Sequence, residues 1–169
     1  IWCMNDEFYM KKALEQARMA LTAGEFPVGC VMVLGNDILA TGAREGTAGT
    51  GLNEVDHAEM LALRKLSRFD QKVNMQKVSA FCTLEPCLMC FGALIISGIG
   101  RIVFAYEDAM GGGTRCDCTH LPPLYSKKKI IIKSGILRND SLKLLKSYFS
   151  HAENNYLKDT FLAAYTLDQ

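Results

Sequence analysis

Two short stretches constrain this chain more than anything else in it: His57-Ala58-Glu59 and Pro86-Cys87-Leu88-Met89-Cys90. Together they read H-x-E … P-C-x-x-C. Cys87 and Cys90 stand at i and i+3, so both sulfurs share one face if Pro86 opens a helix, and proline favours that first position. A helix N-terminus carries partial positive charge, which lowers thiol pKa and favours the thiolates that zinc binds. His57 adds one nitrogen. Three protein ligands leave the fourth tetrahedral position to water, the pattern of catalytic zinc sites and not of structural ones. Zinc lowers the pKa of such a water from about 16 to about 7. Glu59, two residues past the histidine, is near enough to carry protons for that water without being a ligand. A structural zinc knuckle would need a fourth protein ligand, and none is evident.

The rest of the chain fits one globular unit. Its 169 residues suffice for a single domain, 1–169, with a proper core, and no shift in composition argues for two. No apolar run approaches the ~18 residues of a membrane helix. Ile1 to Met4 lacks a charged leader and cleavage site, so no signal peptide is expected. Seven cysteines is an odd number, and the motif commits two as thiolates, which suits a reducing, cytoplasmic setting better than a disulfide framework.

Periodicity predicts a helix over Asp6 to Ala23 with Asp6 as cap, then strands over Val28–Leu34 and Ile38–Thr41 joined by a Gly35-Asn36-Asp37 turn. A glycine-rich loop follows, and a second helix starts at His57. Lys77–Thr83 is a third strand leading into the cysteine helix, Pro86 to about Ser97. Arg101–Tyr106 and Lys129–Lys133 complete the strands; Leu137–Phe149 and Asn155–Tyr165 read as helices. A hairpin followed by β–α–β–α–β alternation implies an α/β fold of three layers around one mostly buried sheet.

Beyond the two motifs, Thr83–Cys90 reads TLEPCLMC and Phe91–Gly113 reads FGALIISGIGRIVFAYEDAMGGG, with PVG at Pro27–Gly29 and HAEMLAL at His57–Leu63. These stretches resemble the cytidine deaminase-like superfamily, whose signature is the same H-x-E … P-C-x-x-C string. Within it the chain looks most like the bacterial tRNA adenosine deaminase and guanine/cytosine deaminase branch, from about Asp6 to Phe149. The resemblance implies an α/β/α sandwich with a five-stranded mixed sheet and a homodimer. It also implies zinc on His57, Cys87 and Cys90, with Glu59 as the catalytic acid–base that drives hydrolytic release of ammonia.

Substrate choice is read from what departs from that branch. Where its tRNA-editing members resemble one another in an Asn-Arg pair after the second strand, this chain has Arg44-Glu45; Asn53 lies too near His57 to replace the Asn. Asparagine both gives and takes hydrogen bonds, whereas arginine only donates and carries charge. Ala58, Arg44, Glu45 and Asp108 are the candidate substrate contacts, and Arg44 either favours a carbonyl- or anion-bearing ligand or pairs with Glu45. The tail from Asn139 is mildly acidic and the net charge is +1, unlike the basic stripe of a tRNA binder. Asp108, at a position resembling a nucleotide contact of the tRNA branch, argues the other way. The expectation is deamination of a free nucleobase or nucleoside, with adenosine in tRNA as the alternative. A biosynthetic pterin or pyrimidine-phosphate deaminase lacks its phosphate site here. A zinc-containing RNA-binding module without catalysis leaves Glu59 without a role.

The weaker motifs carry less. Cys116-Asp117-Cys118-Thr119-His120 is read as part of a substrate-side loop in preference to a second metal site, since cysteines at i and i+2 rarely chelate one tetrahedral ion alone. Cys30 and Cys82 fall in strands as small buried hydrophobes. Gly111-Gly112-Gly113 is expected to be a flexible rim, Lys127-Lys128-Lys129 a solvated approach to an edge strand more than a nucleic-acid contact, and His151 a solvent residue.

Overall fold

Three near-continuous apolar runs become the middle of a sheet, because strands covered on both faces have no polar side to show. The computed structural model describes residues 5–49, 51, 53–69 and 72–169; the expectation about Ile1 to Met4 lies outside them. In chain order the elements are α1 (Asp6–Thr22), β1 (Gly29–Leu34), β2 (Asp37–Ala43), α2 (Ala58–Ser67), β3 (Val78–Leu84), α3 (Leu88–Ser97), β4 (Arg101–Tyr106), α4 (Pro123–Ser126), β5 (Ile131–Lys133), α5 (Arg138–Ser150) and α6 (Phe161–Asp168). The five strands form one mixed sheet in the order β2-β1-β3-β4-β5. β1 pairs antiparallel with β2 and β3, whereas β3, β4 and β5 run parallel. This is the three-layer α/β architecture expected.

Alternation along the strands divides the core. Val31, Val33, Phe81, Val103 and Ala105 meet Tyr9, Met10, Ala13 and Leu14 of α1 on one face. Cys30, Met32, Ala80, Cys82, Ile102 and Phe104 meet α2, α3 and α6 on the other. Cys30 and Cys82 are cross-strand neighbours, fully buried, with sulfurs 3.8 Å apart, and pack as small hydrophobes. α5 contributes to both layers, through Leu144 on one side and Leu145, Tyr148 and Phe149 on the other. Among the described residues no helix is long and apolar enough to cross a membrane.

Three expectations need correction. Asn5, not Asp6, caps α1: its Oδ1 accepts from Phe8 N at 3.1 Å. Asp6 is instead buried against β4 and β5, accepting two 2.8 Å bonds from Arg101 and one of 2.7 Å from Lys133. The Arg101 guanidinium holds its carboxyl below the usual carboxylate range, with Lys133 adding to this against the cost of burial. The final strand is shorter than read, Ile131–Lys133, and it lies exposed, with Lys127, Lys128 and Lys129 exposed ahead of it. The last helix begins only at Phe161, under a Thr160 cap. Leu157 sits at φ 57°, a left-handed backbone that no α-helix can contain, so residues 151–160 turn instead.

Candidate metal centre and substrate cleft

Two helix starts bring the motif together. α2 lies so tightly on β2 that a Cβ at Gly42 would come within 2.0 Å of the Ala58 carbonyl oxygen. Only glycine allows this approach, which fixes the height of the α2 start above the sheet. His57 is the extended residue just before α2, and Glu59 falls in its first turn. At α3 the expectation about Pro86 fails in detail. Cys87 is the N-cap and Pro86 precedes it, so the helix opens at Leu88 and Cys90 is its third residue. The two cysteines still share a face, because N-cap and third positions stand one turn apart.

The Cys87 and Cys90 sulfurs lie 3.6 and 3.5 Å from His57 Nδ1. All three donor atoms are within 4.8 Å of one another, and among the described residues they are the one such group. Zinc–nitrogen and zinc–sulfur bonds of about 2.1 and 2.3 Å at the tetrahedral angle put N and S about 3.6 Å apart. The donors fit that ion. Cys87 is already inclined to the thiolate: the Cys90 thiol donates to it and His57 assists, pushing its pKa down to about 4 against the effect of burial. Cys90, which gives that bond and is buried, is pushed up. His57 is raised by its bond to Cys87. Glu59 lies beside them, 3% exposed, with its Oε2 fully buried and without a hydrogen-bond partner among the described residues. Burial raises its carboxyl above the ordinary range. A buried carboxylate oxygen left unpaired inside an ordered core is costly unless something arrives to meet it.

The donors open onto a cleft of about 430 Å³, counting the space at its mouth. Phe26, Val28, Leu84, Tyr156, Leu157 and Leu162 make its apolar wall; His57, Glu59, Cys87, Arg44, Glu85 and Asp108 supply the polar side.

Residues 4–106 match the family model described as the cytidine and deoxycytidylate deaminase zinc-binding region. The chain belongs to this family. A tRNA-specific adenosine deaminase of Buchnera aphidicola subsp. Schizaphis graminum is 33% identical over 86% of this chain and 95% of its own. A solved structure from work on A-to-I editing by tRNA:A34 deaminases at the wobble position superposes with TM-score 0.64 at 26% identity, covering 76% of this chain and 97% of that one. The guanine deaminase from Nitrosomonas europaea superposes with TM-score 0.65 at 25% identity, covering 84% and 83%. The chain is thus a zinc-dependent hydrolytic deaminase of a nucleobase or nucleoside ring.

Around the metal donors of this deaminase the expected substrate contacts part company. Asp108 lines the cleft, half-buried, its Oδ1 accepting from Met110 N and Gly111 N at 3.0 and 2.8 Å, and burial raises its carboxyl. Arg44 lines it too, but its guanidinium donates to backbone carbonyls, including that of Glu45, and not to the Glu45 carboxylate. Glu45 is exposed and does not line the cleft. Ala58 is buried in the core under α2 and is not a lining residue. Asn53 spends its side chain on the turn, accepting from Val55 N and Asp56 N.

The triple glycine is not a loose rim. Gly113 N donates to Pro86 O at 2.8 Å, and a Cβ there would meet Leu88 Cα at 2.7 Å, so the segment packs directly on the α3 start. Cys116 and His120 are exposed beyond it and, among the described residues, gather no metal-binding group. Phe26, Leu84, Glu85, Tyr156, Leu157 and Leu162 were not singled out from sequence. Glu85 had a visible signal, standing inside the TLEPC stretch; it is buried and accepts from Asp108 N at 3.2 Å and from the Thr114 hydroxyl.

Proposed function

We propose that this protein hydrolyses the exocyclic amino group of a free nucleobase or nucleoside, replacing C–NH2 by C=O and releasing ammonia. One observation carries the preference for a small substrate. The C-terminal segment lays Tyr156, Leu157 and Leu162 along the same cleft that His57, Glu59 and Cys87 line. A ring seated there lies between apolar side chains and a few placed polar groups, the usual composition of a small-molecule site. The charges nearby agree: Glu85 and Asp108 line the cleft and Glu54 accepts from the hydroxyl of Tyr156 in its wall, while the donors of Arg44 are turned into its own loop.

In this reading His57, Cys87 and Cys90 hold the zinc, which when bound supplies Lewis acidity and activates water. Glu59 takes a proton from the attacking water and delivers it to the ring nitrogen; it then takes the second proton from the new hydroxyl on the ring carbon and gives it to the departing amine, so that C=O forms as the C–N bond breaks and ammonia leaves. Its burial raises the carboxyl above the ordinary carboxylate range, the direction that suits a group which must give a proton as well as take one. Asp108 stands at the cleft as a hydrogen-bond acceptor for ring N–H groups. The whole chain, 1–169, acts as one deaminase domain in the cytoplasm. It pairs as a homodimer through the apolar face where Met60 and Leu63 of α2 meet Ile96 of α3, beside exposed Leu88 and Met89. Light scattering at micromolar concentration tests the pairing, and a monomer would refute it.

A second reading, adenosine within tRNA, is favoured by the curated relatives, which match the chain over 84–86% of its length under that name. The deciding experiment is an ammonia-release screen over cytosine, cytidine, adenosine and guanine, run beside inosine formation in tRNA. Small-substrate turnover should dominate and depend little on salt. Turnover confined to tRNA, falling steeply between low and physiological salt, would replace the first reading by the second.

A further inference from the structure

Arg44 is 2% exposed, yet it spends its guanidinium on a loop. It donates to the carbonyl oxygens of Asn53 at 2.6 Å and Asp56 at 3.0 Å, and to that of Glu45. Asp56 is the residue next to His57, and His57 N in turn donates to Val55 O at 2.8 Å. The described residues among 44–57 contain neither helix nor strand, so their carbonyls have no ladder to satisfy them, and the planar fork of an arginine supplies that need. The other side of the same guanidinium faces the C-terminal segment. Its carbon lies 5.6 Å from the centre of the Tyr156 ring. Glu54 Oε2 is 3.7 Å from Arg44 Nη2 and accepts from the Tyr156 hydroxyl at 2.8 Å. Tyr156 is also a wall of the cleft.

We propose that Arg44 is a positioning residue that holds His57 and the Tyr156 wall in one fixed relation. It locks the metal-ligand side of the cleft to its substrate-facing side without itself taking part in the chemistry. This rests on the assignment of His57 as a zinc ligand. Lysine cannot substitute, because a single ammonium cannot span three carbonyls and also present a planar cation to an aromatic ring.

The test compares the parent chain with Arg44→Gln, Arg44→Lys and Tyr156→Leu, all zinc-loaded and held well below their unfolding temperatures. Three quantities are measured: the rate of zinc loss to a chelator, amide exchange over residues 53–57 and 151–160, and kcat and KM separately. Both Arg44 variants should lose zinc about 10- to 100-fold faster, the range for removing a partner behind a metal ligand. They should also exchange faster in both segments. Tyr156→Leu should leave zinc loss near the parent rate while raising KM about 3- to 10-fold, the worth of one aromatic contact. Arg44→Lys matters most, since it keeps the charge and removes only the fork. Zinc retention and exchange at parental rates in Arg44→Lys would overturn the proposal, as would a lowered melting temperature with neither segment loosened. A parent chain that binds no zinc would instead refute the ligand assignment, and the exchange arm would still decide whether Arg44 orders the two segments.

Discussion

The donors of His57, Cys87 and Cys90 stand at the ends of regular elements, whereas most of the cleft around them is built from segments without regular structure. α2 and α3 are anchored on a buried sheet, and their first residues are set by backbone packing at Gly42 and at the Gly113–Pro86 contact. Much of the remaining lining comes from Arg44 in the loop before His57, from Asp108 and from Tyr156 and Leu157 in the turns before α6, tied by side-chain bonds from Arg44, Glu54 and Tyr156. The difference separates two tasks. Chemistry needs its groups held within a fraction of an ångström and sits on rigid elements; selectivity can be rewritten in loops without disturbing them.

The sharpest break falls on the rigid side. Cys90→Ala should strip the metal, because two remaining protein donors hold zinc poorly, and turnover should drop to background. Metal analysis of the purified variant checks this; one zinc per chain surviving would remove Cys90 from the ligand set. Glu59→Gln should behave differently, keeping its zinc and fold while losing about 10³- to 10⁴-fold in kcat, at or near the top of the range for general acid–base removal. Near-parental turnover in a zinc-replete Glu59→Gln sample would end the proposed mechanism.

A third break tests the scaffold beneath both regions. Asp6→Asn leaves Arg101 buried opposite an amide, and breaking a buried pair costs about 3–5 kcal/mol. Urea unfolding should show that loss, while turnover per folded molecule stays unchanged. A loss under about 1 kcal/mol would mean that solvent or the remaining amide oxygen serves Arg101 nearly as well.

The same division explains what could be read from sequence. The gathering of His57, Cys87 and Cys90 was legible because metal chemistry fixes residue type and short spacing within each of two segments, and Glu59 follows His57 by two positions. β4 was legible to the residue, since a run buried on both faces ends where the apolar residues end. Pro86 misled by one position because proline is common at the start of helices, and only the backbone shows that Cys87 holds the cap. Asp6 looked like a cap for the same local reason, while its partner Arg101 lies 95 residues away. Arg44 was noticed as an odd residue, but its partners are backbone carbonyls, which leave no mark in a sequence. Tyr156 was read only as part of a helix over Asn155–Tyr165; it sits instead in a turn, and its place on the cleft arises only when the C-terminal segment folds back.

The smallest effect concerns how that segment is held. Glu107, just past β4, accepts from Arg138 Nε at 2.8 Å and from the Tyr165 hydroxyl at 2.7 Å, with a second Arg138 contact to the same carboxylate. One carboxylate therefore joins the sheet to α5 and α6. The Arg138 guanidinium is the main cause that lowers its pKa from 4.5 to about 2. A depressed carboxyl pKa means that the folded state favours the ionised form. Its contribution is complete above about pH 4.5 and drains away as pH falls towards 2. Both partners remain partly open to water, so screening limits the gain to about 1 kcal/mol. Arg138→Gln should therefore be about that much less stable than the parent at pH 7, and the gap should narrow steadily below pH 4.5. Comparing variant with parent at each pH cancels the protonation of zinc ligands, which both chains share. Amide exchange should place the loss in residues 161–168, on the wall side, and leave 87–97 unmoved. A gap that stays constant down to pH 3 would show that Tyr165 and apolar packing, not the Glu107–Arg138 pair, fasten α6 over the cleft.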